Sequence, residues 1–249
     1  MRARPRPAGL AEAQDLFDLT DRAVGSVHGV DGHRVRMRTR LLTAGPDALA
    51  DHEMLEMVLF LALPRRDTKP TARLLLTRFG SFEAVISANP AQLLAVDGVG
   101  EAGAAALKLV QGASLRLLRD TVRAQPIMKD WNKLLDYLIA GLAHERNELA
   151  RVLFLDVKNR LIADEIQNRG TVNQTMVYPR EIMRRALELN ATGIVLVHNH
   201  PSGDPTASRD DLTMTKDVQR AAAALNIAVI DHIIIAGTRW VSFRQEGWL

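Results

Sequence analysis

The chain has 249 residues, enough for one large domain or two modest ones at roughly 100–200 residues per domain. Apolar residues make up 47% and charged residues 24%, the balance of an ordinary globular protein, and a net charge of only +3 gives little electrostatic support for nucleic acid as the main partner. There is no cysteine, which excludes disulfides, thiolate metal sites and cysteine nucleophiles and leaves any metal to histidines and carboxylates.

Residues 1 to about 10 are rich in Pro and Arg and are predicted to be a disordered basic tail. No apolar run long enough for a signal peptide or a membrane span follows it. A cytoplasmic location without a membrane partner is therefore expected, and the lack of cysteine fits a reducing compartment. Arg34, Arg36, Arg38 and Arg40 alternate with other residues, as along one side of an extended segment that attracts phosphate or an acidic partner, or as a plain solvated basic face. Residues 41–62 read as a helix, with Leu55, Val58, Leu59 and Ala62 at helical spacing and Asp51 as a candidate cap. The Pro64–Pro70 stretch breaks it. A second helix carries Ala72, Leu75, Leu76 and Phe79 on one face and stops at Gly80. A third runs from about Ser81 to Ala88, and Pro90 opens a short one through Val96. Asp97-Gly98-Val99-Gly100 then turns the chain into an Ala-rich helix over about 101–121.

The character changes near Pro126, where a domain boundary is expected: a helical domain over 36–125, then an α/β domain over 126–249. One more helix (about 129–143) precedes strands at Val152–Leu155 and Leu161–Ile166, joined by a hairpin at Asp156–Arg160. Gly170 breaks the chain, and a helix follows Pro179 with Ile182, Ala186 and Leu189 one turn apart. Ile194–Val197 is a continuous apolar run, typical of a strand covered on both faces. A helix over about 208–225 leads to Ile227–Ile230 and Ile233–Ile235, and Trp240–Phe243 reads as a last edge strand.

Chemistry concentrates where the apolar run ends. Alternation along a strand points His198 and His200 to the same side, within reach of one ion. Pro201 ends the strand, and the C-terminal end of a strand is where open sheets bind ligands. Asp211, eleven residues after His200, falls in the first turn of the next helix. Two His and one Asp leave a fourth position for water, as in catalytic zinc sites. Most His-x-His pairs bind nothing, and Ser208-x-x-Asp211 is equally a capped helix start. Their coincidence after a buried strand favours the metal. Asp210 is the poorer ligand by spacing, and His232 reads as a hydrogen-bonded structural histidine or a support for a ligand.

The run from His198 to Asp211 resembles the JAMM (MPN-positive) motif, His-x-His-Pro followed by Ser-x-x-Asp with ten residues between the second His and the Asp. The form His198-Asn199-His200-Pro201-Ser202-Gly203 is similar to that of the bacterial RadC family, as are Gly170-Thr171, Pro179–Ile182, Asp231–Ile234, Val241–Phe243, Leu41–Pro46 and the Asp97–Gly100 turn. The resemblance implies a cytidine-deaminase-like (JAB1/MPN) α/β fold and a zinc metallopeptidase or isopeptidase acting on a peptide or protein substrate. It implies one zinc ion held by His198, His200 and Asp211, Ser208 binding the oxyanion, and a Glu acting on the water. Glu148, fifty residues before His198, is the first choice for that Glu; Glu145 is second and Glu181 third. Ala150 and Ala207 depart from the family, which carries an aromatic residue and a proline there. The segment Leu93–Ala104 resembles a helix-hairpin-helix, whose glycines let backbone N–H groups approach a DNA phosphate, although Asp97 and Glu101 flank it and would oppose one. A DNA-binding accessory protein of repair or recombination, with a structural or vestigial metal site, is thus the competing expectation. A pseudoenzyme that binds protein tails is the third.

Overall fold

The computed structural model describes residues 30–169 and 178–249, so the expected basic tail, the break at Gly170 and the match at Gly170-Thr171 lie outside the described residues. The chain divides into two compact units. Of the described residues, 30–85 with 91–107 make the first, and 86–90 with 108–249 make the second.

The first unit is helical. Its helices are α1 (Val30–Ala44), α2 (Asp51–Ala62) and α3 (Lys69–Phe79); α4 (Phe82–Ser87), α5 (Pro90–Leu94) and α6 (Gly100–Arg123) follow in the chain. The alternating arginines are not extended: they lie in α1. Helical geometry sends them different ways, because Met37 and Leu41, four apart, pack toward Leu49, Met57 and Phe60 and set the face. Arg34 and Arg38 bring their guanidinium groups over the Phe60 ring, at 5.1 and 5.5 Å. Arg34 is buried and donates to the carbonyls of Leu63, Pro64 and Arg66 just after α2. The single helix expected over 41–62 is also interrupted. Gly45, at φ +82°, ends the first helix, a 3₁₀ turn covers Pro46–Ala48, and Ala50 rather than Asp51 is the N-cap of α2.

Glu53 closes that helix start. Its carboxylate accepts the Ala50 N–H at 3.0 Å and pairs with Arg40. The Arg40 bond and then the Ala50 bond hold its pKa down at about 2, below the ordinary 4.5. A depressed carboxylate stabilises the fold above its unfolded pKa and loses that effect as pH falls through its folded one. The stability difference between wild type and Glu53→Gln, measured by urea unfolding, is therefore expected to be full above pH 4.5 and to vanish as pH falls through about 2.

The second unit carries α7 (Trp131–Leu142) and then β1 (Leu149–Leu155), β2 (Leu161–Arg169), α8 (Pro179–Glu188), β3 (Gly193–Asn199), α9 (Arg209–Ala223), β4 (Ala228–Ala236) and β5 (Arg239–Ser242). The strands form one five-stranded sheet in the order β2-β1-β3-β4-β5. β3 and β4 are parallel, with α9 as their crossover, and the other pairs are antiparallel. The two apolar runs expected at 227–230 and 233–235 are one strand, β4, because the intervening Asp231 and His232 are buried with their own partners. In the β1–β2 hairpin, Asn159 takes φ +56° and the Asp156 carboxylate accepts the amides of Lys158 and Arg160 at 2.8 and 2.9 Å.

Both faces of the sheet are covered. On one, Leu134, Leu138 and Leu142 of α7 pack with Leu153, Val195, Val197, Ile233 and Ile235. On the other, Ile182 and Ala186 of α8 and Val218 and Ala222 of α9 pack with Val152, Phe154, Ile194 and Leu196. Every residue of β3 is buried, which is why its sequence is apolar without alternation until His198. The strand is thus a buried central element whose C-terminal end delivers the polar residues.

Candidate metal centre

His198 is the penultimate residue of β3 and His200 follows the strand. The His200 N–H still donates to the Ile235 carbonyl at 2.8 Å, so the strand alignment extends through it. Gly203 at φ +78° and a bond from its N–H to the His200 carbonyl (3.1 Å) then turn the chain away. Arg239 of β5 donates to the Gly203 carbonyl, and Asp204 accepts the Thr206 amide and hydroxyl at 3.1 and 2.8 Å. These bonds secure the loop that leads through Ala207. The chain enters α9 at Ser208, whose Oγ accepts the Asp211 amide at 3.1 Å while the Asp211 carboxylate accepts the Ser208 amide at 2.8 Å and hydroxyl at 2.7 Å. The capped helix start read from the sequence is therefore present, and it is also what aims Asp211 back at the strand end.

Donor atoms of Glu148, His198, His200 and Asp211 all lie within 4.8 Å of one another. His198 Nε2 stands 2.9 Å from His200 Nε2 and 3.2 Å from Asp211 Oδ1, and His200 Nε2 stands 3.7 Å from Asp211 Oδ2. Donors held tetrahedrally at zinc's usual bond lengths stand about 3.3 Å apart, so the set fits that ion. The electrostatics agree. Burial works to raise the Asp211 carboxyl, but the adjoining His198, His200 and Ser208 outweigh it and hold the group well below the usual carboxylate range. Asp211 thus stays anionic through neutral pH, as a ligand must.

Of the three glutamates considered, only Glu148 reaches the group. It is half-buried and immediately precedes β1. Glu145 is exposed in the same connection, and Glu181 pairs with Arg180 and Arg184 on α8. Asp210 is exposed and outside the group. Ala150 is buried on β1 directly across from His198.

Two contributors escaped the reading of the sequence. Asn199 is 2% exposed, and its side chain bridges both sides of Glu148. Its Oδ1 accepts the Leu149 N–H at 2.8 Å, and its Nδ2 donates to the Asn147 carbonyl at 3.1 Å and the Glu145 carbonyl at 3.3 Å. One buried amide thus anchors the Glu148 segment to the strand that carries the histidines. Asn199→Ala is expected to free residues 145–149, raising their amide hydrogen-exchange rates severalfold, while β3 itself stays protected; unchanged exchange there would remove this role. Thr215 is the second, and His232, identified only as structural or supporting, is defined by its contacts. His232 Nε2 lies 2.8 Å from His198 Nδ1, and His232 Nδ1 lies 2.6 Å from Thr215 Oγ1. Complete burial, with the adjoining His198, holds His232 well below the ordinary histidine range, so it is neutral. The neighbouring Asp231 secures β4 to β5 by accepting the Ser242 hydroxyl at 2.5 Å and the Arg244 amide at 3.0 Å.

Set at the end of a central strand in a mixed α/β unit, this His-His-Asp group is the polar centre of a JAB-type domain. The family described as the RadC-like JAB domain matches residues 128–248. A UPF0758 protein of Rhodobacter capsulatus is 53% identical over 213 residues, covering 86% of this chain and all of that protein. A UPF0758 protein of Ruegeria pomeroyi is 49% identical over 217 residues, covering 87% of this chain and 97% of that one. The chain belongs to this RadC-like, UPF0758 family.

Proposed function

We propose that the protein is a zinc-dependent metallopeptidase or isopeptidase, its second unit a cytidine-deaminase-like JAB1/MPN domain acting on a peptide or protein substrate in the cytoplasm. The observation that carries the reading is the convergence of Glu148 with His198, His200 and Asp211 at one point. A structural metal needs only its ligands, and a carboxylate beside three ligands is what hydrolysis requires in addition.

His198, His200 and Asp211 would hold the ion. When bound, zinc supplies a Lewis acid and a water acidified toward about pH 7. Glu148 accepts the proton of the attacking water and returns it to the departing amine nitrogen as the C–N bond breaks. Ser208 donates its hydroxyl to the oxyanion. That proton now points at Asp211 Oδ2, so the hydroxyl must turn before it can serve.

The test is hydrolysis of fluorogenic peptide and isopeptide-linked panels by zinc-loaded protein. Cleavage that a chelator stops and zinc restores supports the proposal. A zinc-loaded protein inert toward every panel, with the folded state intact, would count against catalysis and for tail binding.

The second reading, a DNA-binding accessory protein, draws on the turn before α6. Gly98 and Gly100 take φ +84° and +57°, and a Cβ on Gly98 would meet Thr71 Oγ1 at 2.6 Å. Such a turn exposes backbone amides beside a helix start, as phosphate contacts require, but packing demands glycine here too. This reading predicts salt-sensitive DNA binding that survives zinc removal, and no detectable binding at low salt ends it.

A further inference from the structure

We propose that Thr215 and His232 fix the tautomer of His198, so that this residue presents an unprotonated Nε2 to the ion before any ion arrives. The inference rests on the metal-site reading, and it adds two positioning residues to it.

The protons can be assigned in order because the relay begins at a group with only one possible role. The main-chain carbonyl of Asp211 can only accept. Thr215 Oγ1 donates to it at 2.6 Å, which commits the single hydroxyl proton. The same oxygen lies 2.6 Å from His232 Nδ1 and has only lone pairs left to offer, so Nδ1 must carry the imidazole proton. A neutral His232 then has a bare Nε2, 2.8 Å from His198 Nδ1, which must be the donor in that bond. A neutral His198 then has a bare Nε2, the atom that faces His200 Nε2 and Asp211 Oδ1. His200 arrives at the same state by a shorter path, since its Nδ1 donates to the Asp204 carbonyl at 2.8 Å.

Burial makes the assignment strict. Thr215 and His232 are each 1% exposed and His198 3%, so water cannot substitute for a missing partner. The opposite order would turn the Thr215 proton away from the Asp211 carbonyl and put a proton on the His198 nitrogen that an ion needs bare. The fold supplies the relay at three points: parallel pairing sets His232 opposite Leu196, diagonal to His198 on the same face, Thr215 lies one turn beyond Asp211 on α9, and the Phe243 ring packs 4.3 Å from the His232 ring. Asp211 thereby acts twice, through its carboxylate at the ion and through its carbonyl at the head of the relay. A metal-bound histidine ordinarily donates its second N–H to a carboxylate, a carbonyl or water, and here the acceptor is a second, neutral imidazole.

Thr215→Val tests this with little change of shape, and Thr215→Ser is the variant that keeps the hydroxyl. Zinc affinity is measured by competition with a chromophoric chelator, alongside circular dichroism. The valine variant is expected to bind zinc about 10–100-fold more weakly, with the serine variant near wild type. Nitrogen NMR of ¹⁵N-histidine-labelled, metal-free wild type at a pH above the histidine range gives a second readout that needs no metal and no variant. It is expected to show the Nδ1–H tautomer at both His198 and His232. Wild-type zinc affinity in folded Thr215→Val, or the Nε2–H tautomer at His198, would overturn the proposal. A wild type that binds no zinc would defeat the metal-site reading instead, and the NMR tautomers would still decide this one.

Discussion

Glu148→Gln is expected to keep its full zinc content and to lose amide hydrolysis by about 10²–10⁴-fold, the usual contribution of a positioned general base. That range is about 3–5 kcal/mol of transition-state stabilisation, too large to come from a surface carboxylate. Glutamine has nearly the same shape and can still hydrogen-bond, but it cannot take a proton. The three groups assigned to the ion are untouched, so binding and chemistry separate in one variant. Elemental analysis gives the first quantity, and turnover of a peptide found in the substrate panel gives the second. A fully active Glu148→Gln protein would remove this residue from the mechanism. Neither Glu145 nor Glu181 could then replace it, since neither belongs to the cluster.

Asp211→Asn is expected to do the reverse, losing zinc while keeping the fold. Asparagine retains the size and an oxygen acceptor for the Ser208 amide, so the start of α9 survives. What is removed is the negative charge that three neighbours hold ionised. Without it the ion has two neutral nitrogens and no anionic protein ligand. Dialysis against a chelator that leaves wild type loaded should strip this variant, with an unchanged far-ultraviolet circular dichroism spectrum. Retention of zinc at wild-type affinity would show that Asp211 is not a ligand.

How much of this was legible beforehand depended on how local each feature is. His198 and His200 follow from strand alternation, and Asp211 from its place in the first turn of a helix, so spacing alone sufficed to bring the three together. Glu148 was reachable only through the fifty-residue separation of the family motif, because strand pairing brings it to His198. Asn199 and Thr215 act through contacts made after β1, β3, β4 and α9 have packed, and a short polar side chain carries no sign of that in sequence, whereas His232 reads as a hydrogen-bonded structural or supporting histidine. At α1 the solvated basic face describes Arg36, Arg38 and Arg40, which are exposed, but not Arg34, which is buried, and the extended alternative fails. The arginines have a period of two, but the apolar pair Met37 and Leu41 has a period of four, and burial follows the apolar pair. In the stretch 41–62, good helix formers on both sides of Gly45-Pro46 obscured a break that a glycine at φ +82° imposes.

The measurement that bears most directly on the central claim is metal content by elemental mass spectrometry. It compares wild type with the His198→Ala/His200→Ala double variant, both purified without added metal. About one zinc per chain in wild type, absent from a double variant that remains folded, is the predicted result for a site with three protein ligands. No metal in wild-type protein, even after zinc is offered and the excess removed, would contradict the account and turn attention to DNA and protein binding.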